Sequence, residues 1–314
     1  MKKNNGRLGD TFLRALAITA VVTLHVLASL KSGVYTTFSY HPYIIAFDQL
    51  LRFCIPLFVA LSGYGLMQKY QQQEFHWSEF LQRRVFKLLP AYVIWSLATF
   101  VIFLFLPLWR PTGTPGSFIN QLITGRADYH LYFVPMIFQL YLVFPFLKPL
   151  VAKHPKTILS LTFIFQLGLY IFYMVRATVF PGVEPLTTDQ QQYVWGFSWI
   201  FYFVLGMCLP LIHTWLGKKK IRVMSWFLVT VLAWVGAVWW AIVAINHGSD
   251  PIIILRFTRV PLLLYGTLSV VSLSLIAFKI AQLPKVIKIL ADKSYWLYLC
   301  HTIILRILFT FIYP

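Results

Sequence analysis

Residues 11–30 read TFLRALAITAVVTLHVLASL. The run is apolar except for two residues that are costly in hydrocarbon, Arg14 and His25. They stand eleven positions apart, which at about 100° per residue is three turns plus about 20°, and about 16 Å along a helix. Both side chains therefore leave one face of one helix. A guanidinium at one end of such a stripe and an imidazole deep along it mark a route for something long and polar. The plainer alternative is a snorkelling arginine and a packed histidine.

The rest of the chain has the same character. Its 314 residues are 59% hydrophobic, 18% aromatic and only 11% charged, against about 25% charged in a soluble domain. Nine runs are long enough to cross a bilayer as helices: 12–30, 43–67, 88–107, 130–150, 157–175, 193–213, 224–246, 256–278 and 294–312. The expected architecture is an all-α polytopic membrane bundle forming one domain over residues 1–314, with no separate soluble domain and no internal repeat. Cys54, Cys208 and Cys300 lie inside these runs without metal-type spacing, so they read as small buried apolar residues.

The net charge of +18 does not point to nucleic acid, because the basic residues sit between the apolar runs. With the N-terminus placed inside, nineteen of the 27 Lys and Arg fall in inner segments and five (Lys31, Arg110, Arg126, Arg176 and Arg256) in outer ones. That bias predicts a multi-pass cell-membrane protein with a cytoplasmic N-terminus, its basic loops facing anionic lipid. The longer outer loops, 108–129 and 176–192, are candidates to border a site; the second holds Glu184 and Asp189.

Depth along the helices organises the polar residues. His25 and Asp48 each lie about five residues below the outer end of their runs, so they are expected at one level, Asp48 orienting His25. Arg52 follows Asp48 at the i,i+4 spacing of an ion pair; a closed structural pair is the alternative. At the inner end Arg14, Arg83, Arg84 and Lys87 gather near Ser62 and Gly63. Cations beside a small-residue site suit phosphate; lipid headgroups are the alternative, favoured for Arg83. His130 beside Asp128, and Tyr298 one turn from His301, are further candidates. No residue set has metal-ligand spacing, and there is no P-loop, nucleophile elbow or dinucleotide fingerprint.

Taken together these residues resemble a known family. Arg14 and His25, ten residues between them, resemble the R-x10-H signature of the membrane acyltransferase-3 family. FCIPLFVALSGYGL (53–66), FLQRRVFKLLPAYVIWS (80–96), HLYFVPMIFQLYLVFP (130–145), FYFVLGMCL (201–209) and SYWLYLCHTIIL (294–305) are similar to its later motifs, in order, over nearly the whole chain. Lys87 departs from the family's second basic-motif arginine, Tyr132 from its tryptophan, and nine helices from its usual ten.

The resemblance implies an integral membrane O-acyltransferase that moves an acyl group, usually acetyl, from cytoplasmic acetyl-CoA to a hydroxyl of an envelope carbohydrate or lipid-linked acceptor. It implies Arg14, Ser62, Arg84 and Lys87 on the acyl-CoA side and His25 as catalytic base, with His130, Tyr298 and His301 as further site residues. The partners are then acyl-CoA, a glycan or lipid-linked acceptor and membrane lipid, with no metal and no nucleic acid. The rival expectation is a polytopic transporter or flippase for a lipid-linked glycan or small solute, since intramembrane charges also mark substrate pathways.

Overall fold

The computed structural model describes residues 2–32, 41–70, 75–105, 118–179, 189–218 and 223–312. Glu184, in the second outer loop, lies outside them. The α-helices are α1 (Lys2–Ser32), α2 (Pro42–Leu51), α3 (Cys54–Tyr70), α4 (Trp77–Phe105), α5 (Phe118–Thr124), α6 (Phe133–Lys153), α7 (Pro155–Val179), α8 (Asp189–Val194), α9 (Ile200–Lys218), α10 (Val223–Asn246), α11 (Pro251–Ile254), α12 (Val260–Ala277), α13 (Lys285–Asp292) and α14 (Ser294–Ile312). Among the described residues eight spans are long and apolar enough to cross a membrane, and a shorter apolar helix, Ser294–Phe309, coincides with the ninth predicted run. The chain is a multi-pass helical membrane protein.

The second run, expected as one helix over 43–67, is broken into α2 and α3 at Arg52 and Phe53. Pro56 gives the reason. It has no N–H to donate to the Arg52 carbonyl, and its ring crowds that carbonyl. The break sends the Arg52 side chain towards the interior of the bundle, where the guanidinium stacks 4.7 Å from the Phe257 ring centroid.

α3 and α9 form the centre of the bundle, and Phe201–Leu209 is almost entirely buried between neighbours. Association inside a bilayer rests on close packing, because lipid tails are as apolar as the side chains. Two glycines make it possible. A Cβ on Gly206 would lie 1.8 Å from the Ala60 carbonyl oxygen, and one on Gly63 would lie 2.1 Å from that of Phe203. Gly206→Val should lower the thermal unfolding temperature of the detergent-solubilised protein, since overpacking costs about 1–3 kcal/mol or more. Gly236→Ala, where an added Cβ meets nothing within 4 Å, should leave it unchanged or slightly raised.

α13 is a short helix between α12 and α14 that packs on α1. The segment before α6 is a chain of turns entered at Gly125, whose φ of +69° and contact with the Tyr132 backbone admit only glycine without strain. This segment carries Asp128, Tyr129 and His130 into the bundle.

A candidate active site in two stacked cavities

Two cavities lie end to end along the face of α1 that carries Arg14 and His25. The first, of about 420 Å³, is at the basic end. Arg14, Ser62, Arg84 and Lys87 all line it, with Gly65, Phe58, Phe133, Tyr141, Asp292, Ser294 and Tyr298 among its other walls. Sequence reasoning named those first four residues from three separate helices, and the fold brings them together. Arg14 is held by Asp10 at 2.8 Å, one turn back. The Arg84 guanidinium lies over the rings of Phe80 and Tyr141 at 5.5 and 5.3 Å, and its Nε has no hydrogen-bond partner among the described residues. Ser62 donates to the Phe58 carbonyl. Arg83 points elsewhere, paired with Glu79 on the exposed side of α4.

The second cavity, of about 200 Å³, is lined by His25, His130, Arg52, Cys54, Tyr129, Tyr132, Tyr193, Phe257 and Tyr298 among others. Three imidazoles from three elements converge beside it. The His25 ring lies 5.0 Å from that of His301 and 6.2 Å from that of His130, and His130 lies 4.9 Å from His301. Two of the three have a tautomer fixed by their surroundings. His301 Nδ1 lies 2.8 Å from the Tyr298 carbonyl and 3.0 Å from that of Leu297. Carbonyls only accept, so Nδ1 carries the proton and Nε2 keeps its lone pair. His130 Nδ1 faces Asp128 Oδ2 at 3.5 Å and Thr302 Oγ1 at 3.3 Å, while the Thr302 hydroxyl donates to Asp128 at 2.9 Å. Both Nε2 atoms are buried and have no hydrogen-bond partner among the described residues. Buried polar atoms are ordinarily hydrogen-bonded, so both are candidates to meet a hydroxyl entering the cavity.

Asp128 is the carboxylate of this cluster. It also accepts from Arg306 at 2.5 Å and from the Tyr129 amide at 2.8 Å. Burial alone would raise its carboxyl, but His130 and Arg306 hold it down at about 2. It is therefore an anion at neutral pH. Asp48 accepts hydrogen bonds from Arg52 at 2.6 Å and from Gln49 at 3.0 Å. Arg52 lines the cavity and Asp48 stands behind it. Sequence reasoning noticed Asp128 only as a neighbour of His130, and it missed Thr302, Arg306 and Tyr129. The His130–Asp128 spacing was the one signal available for them.

Chemically the pair of cavities offers cations at one end and base-competent imidazoles at the other, about 16 Å apart along α1. Among the described residues no group of His, Cys, Asp and Glu is placed to hold a metal ion, and the three cysteines are free thiols.

Comparison with known proteins gives the family. An acyltransferase domain matches residues 11–314. Relatives from Staphylococcus aureus strains MSSA476 and MRSA252, each described as a probable poly-beta-1,6-N-acetyl-D-glucosamine export protein, are 24% identical over 97% of this chain and 84% of their own length. No solved structure matches. With the family match covering residues 11–314, the chain belongs to the membrane acyltransferase-3 family and is an acyltransferase.

Proposed function

We propose that this protein transfers an acetyl group from cytoplasmic acetyl-CoA to a hydroxyl of an envelope polysaccharide or a lipid-linked glycan. The observation that carries the reading is the alignment of the two cavities, cationic at one end and imidazole-lined at the other, along the Arg14–His25 face. Arg14, Arg84 and Lys87 would hold the phosphates of acyl-CoA, and Ser62 would line the path of its pantetheine arm. A glycan acceptor is supported by the polysaccharide named for the relatives and by the aromatic walls of the second cavity, Tyr129, Tyr193 and Phe257, since sugar faces pack against rings.

In this reading His25 is the general base. It takes the proton of the acceptor hydroxyl as that oxygen attacks the thioester carbonyl. The ester C–O bond forms, the C–S bond breaks, and the proton passes from the imidazolium to the departing thiolate. His130, tied to Asp128, stands beside His25 and lets the carboxylate compensate the imidazolium charge. Arg52 is placed to donate to the carbonyl oxygen as it gains charge. A cytoplasmic Arg14 end is supported by the Lys and Arg distribution along the sequence.

Labelled acetyl-CoA given to inside-out membrane vesicles tests the whole reading. Transfer or hydrolysis that disappears in His25→Ala supports it. The relatives' description favours a second reading, glycan export; acceptor movement without acyl transfer would establish that one instead. Orientation is checked separately. A cysteine replacing Lys219 should react only with a cytoplasmic thiol reagent, and one replacing Thr112 only with an external one. The reverse pattern would put the cationic cavity on the side without acetyl-CoA and sink the mechanism.

A further inference from the structure

Tyr298 lines both cavities. On each wall the lining changes over at its level. On α3 the second cavity ends at Ile55 and the first begins at Phe58. At the start of α6 the change falls between Tyr132 and Phe133. The Tyr298 ring lies 5.5 Å from the ring of Phe133, which in turn lies 6.1 Å from that of Phe58. Three rings from three helices thus close the junction. Tyr298 is buried, and its hydroxyl donates to the His130 carbonyl, which ties the ring to the turn that carries the imidazole cluster.

We propose that Tyr298 is the seal between the two cavities, and that swinging it aside admits the acyl group to the imidazoles. The sealing half stands on geometry alone; the admitting half rests on the acyl-transfer reading. A seal at this level has a physical purpose. Without the ring, the cationic cavity and the histidine cavity would join into one polar-lined passage through the bundle. Water in that passage could attack the thioester carbonyl, breaking the C–S bond to give the carboxylic acid and the CoA thiol with no acceptor modified. The same water would carry ions. A plug held by ring packing and one hydroxyl bond can be displaced, because a single hydrogen bond contributes little net stability. Tyr298 is in this reading a positioning residue: it acts by deciding when donor and base meet.

The test uses the full chain in proteoliposomes and reads two quantities. The first is proton leak under an imposed potassium diffusion potential, followed with a trapped pH-sensitive dye. The second is the ratio of acceptor-free acetyl-CoA hydrolysis to acetyl transfer. Tyr298→Ala removes the plug and should leak above the native protein and empty liposomes. Tyr298→Phe keeps the ring and loses the tether. It should stay tight to protons while the hydrolysis ratio rises about fivefold, the population change expected from one hydrogen bond. Should Tyr298→Ala not be recovered as a monodisperse folded species, Tyr298→Leu carries the leak measurement. A folded Ala or Leu variant as tight as native overturns the seal. An unchanged ratio in Tyr298→Phe overturns the admitting step. Native protein that turns over no acetyl-CoA would overturn the acyl-transfer reading, and the leak would still decide the seal.

Discussion

His25→Ala should lower turnover by roughly 10²–10⁴-fold, the share usual for a positioned general base, while membrane insertion and acetyl-CoA binding stay close to native. The split is expected from the geometry. His25 lines the second cavity, whereas the cations that would bind the donor line the first. His25→Gln should fare little better, because an amide can hold a hydrogen bond but cannot take the proton. A packing residue would behave differently, with His25→Ala lowering folded yield and His25→Gln retaining activity. Turnover per folded molecule is therefore the quantity to measure. A His25→Gln enzyme with near-native turnover would end the case for base catalysis here. If His130→Gln were inactive at the same time, the role would pass to His130, whose Nε2 lone pair also borders the cavity.

The carboxylates extend the same test. Asp128→Asn keeps the shape of the cluster but removes the anion that His130, Thr302 and Arg306 share. It should lower turnover more than Asp48→Asn does, because Asp128 is bonded directly to the cluster that holds His130, whereas Asp48 is paired with Arg52 at the cavity wall. The opposite order would give Asp48 the place at His25 that depth along the helices suggests.

The parts of this protein legible in its sequence are those that one helix determines by itself. Among the described residues the apolar runs are helical, the second in two pieces, because hydrocarbon admits no unsatisfied backbone. The Arg14–His25 face is fixed by helical periodicity alone, and two cavities lie along it. Depth is legible as well, and it put Asp48 level with His25. Angle about the bundle axis is not legible from depth. It depends on how neighbouring helices pack, and Pro56 interrupts the second run just where the direction of Asp48 and Arg52 is decided. The imidazole cluster was hidden for a related reason. His25, His130 and His301 come from α1, the turns before α6, and α14, and only the close packing of the bundle joins them. The resemblance to the family supplied His130 and His301 as separate motifs without their mutual contact.

Neutralising the first cavity should act on binding rather than on turnover. Arg84→Ala is expected to weaken acetyl-CoA binding by roughly 10–100-fold, the factor that corresponds to one charged hydrogen-bonding group. Charge balance singles out Arg84 and Lys87. Arg14 is already paired with Asp10, so the pair is close to neutral, and Asp292 in the same wall adds a further negative group. Arg84 lies over the faces of Phe80 and Tyr141, and its Nε has no hydrogen-bond partner among the described residues. A guanidinium stacked this way stays planar and ready to grip phosphate through two parallel donors. Lys87 offers a single ammonium contact, so Lys87→Ala should cost less than Arg84→Ala, and Lys87→Arg should be tolerated or bind more tightly. Arg83→Ala is the internal control. Its side chain is exposed and paired with Glu79, and an exposed pair contributes about 0–1 kcal/mol. Titration of acetyl-CoA against each folded variant, at two salt concentrations, gives the answer. If Arg84→Ala and Arg83→Ala bind acetyl-CoA equally well, the cations of α4 serve lipid headgroups and the donor must enter by another route.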